Sequence, residues 1–148
     1  MTGVIRELSI TEVLDKNVVS VIKQAVNETL PKCASPEARF NRIISELLYG
    51  IKVVWVSMEQ DSGNINGVVI TQLIEDTILE RKLLLIYIGW APNNFMNIYK
   101  DFWQVLSAYG KEHKCSSIYF VTTNAKILKR IANFKPNIQY EAGVYLQL

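Results

Sequence analysis

A chain of 148 residues with 49% hydrophobic content can bury one substantial core and is short for two independent ones, so residues 1–148 read as a single domain. Sixteen basic against fourteen acidic residues leave a net charge of +2, which argues against a nucleic-acid protein held by its overall field and makes any phosphate site a local one. The two cysteines, Cys33 and Cys115, lack ligand-like spacing and His113 is the single histidine, so no metal centre is expected. A disulfide between the cysteines stays open on sequence alone, but the chain start lacks a secretory pattern, which predicts free thiols and a cytoplasmic setting. The longest apolar run falls well short of the roughly 20 residues that cross a bilayer, so no membrane association is expected.

In chain order, Val4 to Leu8 is a brief strand candidate. Ser9 followed by Glu12 fits a capping box, and Leu14, Val18, Ile22, Ala25 and Val26 then recur as one helical stripe, predicting a first helix that ends before Pro31. Ser35-Pro36-Glu37 starts a second helix, with serine as cap and proline at the first helical position. Phe40, Ile43, Ile44, Leu47 and Leu48 form its buried face, and Gly50 stops it. Ile51 to Met58 and Ile65 to Ile70, joined by the turn Gln60 to Asn64, predict an antiparallel hairpin. From Gln72 to Lys82 the pattern allows a strand extension, a loop or a short polar helix.

The run Leu83 to Trp90 is apolar almost throughout, as suits a central strand buried on both faces. Ala91-Pro92-Asn93-Asn94 breaks it, and Phe95, Tyr99, Phe102, Leu106 and Tyr109 follow at helical spacing. A helix start aimed at a strand end gathers unpaired N–H groups and the positive helix pole, which favours an anion such as a phosphate. Ser117 to Thr122 then reads as a strand parallel to Leu83 to Trp90, Asn124 to Phe134 as a short helix, and Tyr140 to Leu148 as a closing strand with one wetter face. Val13, Val19 and Val21 fall off the stripe of the first helix and point to an apolar interaction patch.

This order of elements, with the strand-to-helix junction from Trp90 to Asn97, resembles the GCN5-related N-acetyltransferase (GNAT) superfamily over essentially the whole chain. The resemblance implies an α/β fold with a mixed, twisted sheet of about six or seven strands and helices on both faces. It implies acyl transfer from acetyl-CoA to an amine, with the coenzyme lying against the strand Leu83 to Trp90. By that resemblance Ile88 and Trp90 meet the coenzyme on the strand, Gly89 is the bulge position, and Asn93, Asn94 and Asn97 form the phosphate turn. Asn124, followed by Ala125, opens the next helix, where the family carries a tyrosine acid; here that slot falls on Leu128 or Lys129, so no catalytic residue is assigned. The phosphate turn also holds no glycine and carries the large Phe95 and Met96, which implies a degenerate coenzyme site. Similarity to small bacteriophage proteins that lack both features implies an alternative, a non-catalytic virion or host-interaction protein whose partner is another protein.

Overall fold

The computed structural model describes residues 4–92, 95–120 and 129, and at 95–97 the backbone alone. β1 (Val4–Glu7) leads into Ser9, whose hydroxyl accepts from the Glu12 N–H at 3.3 Å while the Glu12 carboxylate accepts from the Ser9 N–H at 3.1 Å. The predicted capping box is therefore present, but the helix it starts, α1 (Ile10–Val13), is a single turn. Asp15 ends it: its carboxylate accepts from the N–H groups of Asn17 and Val18 and opens a separate helix, α2 (Lys16–Thr29). One expected helix is thus two, and Leu14 lies at the exposed corner between them. α3 (Pro36–Leu48) starts at the Ser35 cap and stops at Gly50, which adopts a φ of +73° as the predicted stop requires.

β2 (Lys52–Met58) and β3 (Ile65–Asp76) form the expected hairpin. The ambiguous stretch from Gln72 to Lys82 extends two strands at once: β3 runs on to Asp76 and β4 begins at Arg81 (Arg81–Trp90). Asp76 closes the turn, accepting from the N–H groups of Ile78 and Leu79 and from the Arg81 guanidinium at 3.2 Å. α4 (Phe95–Glu112) follows, then β5 (Ser117–Phe120).

The sheet order is β1-β2-β3-β4-β5, antiparallel except for the parallel pair β4–β5, as expected. Among the described residues the sheet has five strands, not six or seven: the 72–82 segment lengthens existing strands instead of adding one, and the expected last strand falls beyond the described part. The expected strand Tyr140 to Leu148 lies outside the described residues, as does the helix Asn124 to Phe134 apart from Lys129, which is helical and exposed.

Helices cover both faces. Ile22, Ala25 and Val26 of α2 and Phe40, Ile43 and Leu47 of α3 pack on one side against Val54, Val56, Val68, Ile70 and Ile88. On the other, Ile98, Phe102 and Leu106 of α4 pack against Trp55, Val69 and Leu84. The patch expected at Val13, Val19 and Val21 is not there: Val13 is buried in the first core, and Val19 and Val21 pack half-buried against it. The chain breaks between α1 and α2 just after Val13, so Val13 does not share the helical stripe of α2 and is buried in its own right.

Candidate functional site

The register of β4 carries the key irregularity. Ile70 pairs with Ile88 and Thr71 with Ile86, so Tyr87 has no opposite residue on β3 and is a β-bulge. The bulge lies two residues before the expected Gly89. Its effect is legible in the side chains: Leu84 and Ile86 face α4, whereas Ile88 and Trp90, which strict alternation would put on that same face, pack with the α2–α3 core. The parallel pairing with β5 runs from Leu83↔Ser117 to Ile86↔Phe120, so the bulge follows directly on the described part of that ladder.

α4 begins five residues after Trp90, and the first-turn N–H groups of a helix have no partner within the helix itself. The helix is set down tightly. A Cβ on Gly67 would come within 2.9 Å of Ile98 and 3.1 Å of Phe102, so only glycine lets α4 approach the β2–β3 hairpin this closely. Burial on the same helix pushes the Tyr99 phenol up to about 12, so it remains protonated at neutral pH.

Of the residues expected at a site, Ile88 is 1% exposed within the core, leaving only its backbone for a ligand. Trp90 is half-buried, and its indole N–H donates to Glu28 Oε2 at 2.6 Å while the Gln24 amide donates to Oε1 of the same carboxylate at 3.0 Å. These two hydrogen bonds, the indole's first, hold the Glu28 carboxyl below the ordinary carboxylate value and tie the end of β4 to α2. Asn97 lies in the first turn of α4. Asn93, Asn94, Asn124 and Leu128 lie outside the described residues. Outside that set, the carboxylates Glu59 and Asp76 each serve a turn, Glu59 accepting from the Ser62 hydroxyl at 2.8 Å and Asp76 from the Ile78 N–H at 3.1 Å.

Sequence reasoning missed a polar group beneath the bulge. Lys52 is only 7% exposed; it pairs with Glu46, donates to Gln72 Oε1 at 2.9 Å and stands 4.6 Å from the centre of the Tyr87 ring. A signal existed: Lys52 alternates with Val54 and Val56, which places it on the buried face. Two cavities, of about 330 Å³ beside Ser9, Ile10 and Lys52 and of about 410 Å³ at the Asp76–Lys82 turn, both lie away from the β4–α4 junction. Among the described residues there is no cluster of metal-ligating side chains and no helix long and apolar enough to cross a membrane.

No family model and no curated protein matches the chain. Solved structures do. A probable acetyltransferase superposes with a TM-score of 0.76 at 7% identity, covering 98% of this chain and 96% of its own. A predicted acetyltransferase from Clostridium acetobutylicum, solved with acetyl-CoA, gives 0.68 at 17% identity over 100% and 96%. Glucosamine-6-phosphate N-acetyltransferase from Arabidopsis thaliana gives 0.65 at 18% over 100% and 99%.

Proposed function

We propose that this chain, which has the GNAT fold, binds acetyl-CoA along the β4 edge and transfers its acyl group to an amine. The observation that carries the reading is the bulged β4, paired antiparallel with β3 and parallel with β5, with α4 starting within five residues of its end. Bound acetyl-CoA supplies an activated thioester. The chain's own part is to hold it: the first-turn N–H groups of α4, with Asn93, Asn94 and Asn97, meet the pyrophosphate, and the family resemblance adds Asn124 as a further coenzyme contact. The backbone at Ile88 and Trp90 pairs with the amides of the pantetheine arm, a role that the buried Ile88 side chain and the tethered Trp90 indole leave open.

The fit of this frame to acetyl-CoA is weakened at one point, the glycine-free turn Pro92 to Asn97, so we infer a weak site. A dissociation constant of ~1 mM, challenged with ~1 mM acetyl-CoA, stabilises the fold by about 0.4 kcal/mol, which is a melting shift near ~1 °C. A site of ~10 μM would give roughly 2.7 kcal/mol and a rise of about 5 to 10 °C. Thermal melts with and without acetyl-CoA distinguish the two. A large rise contradicts the weakened turn, and no response at several millimolar contradicts coenzyme binding itself.

The same glycine-free turn supports a second reading, the fold used without catalysis as a structural or protein-interaction component. Ile10, Leu14, Tyr49 and Ile51, all exposed, add to it. Under that reading acetyl-CoA leaves the melt unchanged.

A further inference from the structure

Tyr87 is the one residue of β4 between Arg81 and Trp90 without an opposite number on β3. A bulged residue leaves the ladder and its side chain is re-aimed, which is why bulges gather beside active sites. The Tyr87 ring lies half-buried on the sheet face covered by α2 and α3. Beneath it the ammonium of Lys52 is fixed three ways, by Glu46, by Gln72 and by the ring itself, and Glu46 is further paired with Arg42 at 3.5 Å. A buried ammonium is tolerated only with such partners, so Lys52 is a rigid support for the ring and not a mobile surface charge. In contrast to these engaged head groups, the Tyr87 hydroxyl has no hydrogen-bond partner among the described residues.

Position along the strand says what this hydroxyl meets. Tyr87 lies three residues before the end of β4, about 10 Å upstream at the usual rise of a strand. A long ligand with its phosphates at the start of α4 and its arm along β4 therefore brings its far, acyl-bearing end to the bulge. We propose that Tyr87 is a catalytic residue, its hydroxyl donating a hydrogen bond to the acyl oxygen, where negative charge develops as an amine attacks, and that Lys52 is its positioning residue. The assignment rests on the coenzyme reading above.

The test uses the full chain with ¹³C-labelled tyrosine rings, the Tyr87 signal being identified by its loss in Tyr87→Phe. The probes are acetyl-CoA and adenosine bisphosphate, the latter carrying the phosphate end alone. Acetyl-CoA is expected to move the Tyr87 signal and adenosine bisphosphate to leave it in place while competing for the site. Tyr87→Phe should weaken acetyl-CoA binding about 2- to 10-fold, the range of one hydrogen bond, with adenosine bisphosphate affinity unchanged. Lys52→Met should displace the Tyr87 signal in the free protein, and Lys52→Arg should restore it. If Lys52→Met does not fold, the two affinities of Tyr87→Phe decide alone. Acetyl-CoA binding detected by tryptophan fluorescence with an unmoved Tyr87 signal overturns the assignment, as does equal weakening of both probes. Wild-type protein that binds neither probe defeats the coenzyme reading itself, and the assignment falls with it.

Discussion

Single side chains set the geometry at both ends of the candidate site. The Glu28–Trp90 hydrogen bond joins α2 to the last residue of β4, and the Glu28 carboxyl is held below its ordinary value of 4.5, chiefly by the indole and then by Gln24. A depressed carboxyl prefers its charged form in the folded state. Its stabilisation is thus complete above 4.5 and is lost as the pH falls through the lower folded value. Tryptophan fluorescence should therefore report a change on acidification centred below 4.5, and Glu28→Gln should remove it; an unchanged acid profile in that variant contradicts the tie. Gly67 acts by size. Gly67→Ala puts a methyl against Ile98 and Phe102, and overpacking of this kind costs about 1 to 3 kcal/mol. A melting temperature lowered by roughly 3 to 10 °C is expected. A neutral result means that α4 can lift from the hairpin without cost.

At the scale of elements, what the sequence conveyed and what it concealed follow from the kind of signal each element emits. The strand Leu83 to Trp90, the helix behind it and the parallel return at Ser117 were legible because length, apolar content and the Pro92 break all agree there. The division of the first helix was concealed because Leu14, Val18 and Ile22 keep helical spacing across the break, which masks the second cap at Asp15. The bulge was concealed for a different reason: a strand apolar on both faces has no alternation for an extra residue to interrupt, so Gly89 offered itself in place of Tyr87. Lys52 and Tyr87 are 35 positions apart, and the contact between them arises only when β2, β3 and β4 are aligned. The Asp15 cap has its own test. Asp15→Ala should cost about 1 kcal/mol in denaturant unfolding, whereas a cost near zero means that α1 and α2 are set by packing alone.

For the molecule as a whole, two cores on opposite faces of one sheet hold β4 between them, and the bulge within β4 is where its residues change allegiance from one core to the other. That arrangement makes the end of β4 a rigid ledge: Ile88 is sunk in one core, Trp90 is tied to α2, and α4 is seated on Gly67. Under the proposed reading, this ledge is where an extended ligand lies along the backbone of β4. The central claim is that acetyl-CoA lies there, and a titration of the ¹⁵N-labelled chain followed by backbone amide NMR tests it most directly. The account predicts progressive shifts confined to Tyr87 through Asn97 and the neighbouring β5, with half-saturation near ~1 mM, the weak affinity expected of a turn without glycine. Amide signals of β4 that stay still at about 10 mM acetyl-CoA, ten times that constant, or shifts gathered instead around Ser9, Ile10 and Val13, would contradict it.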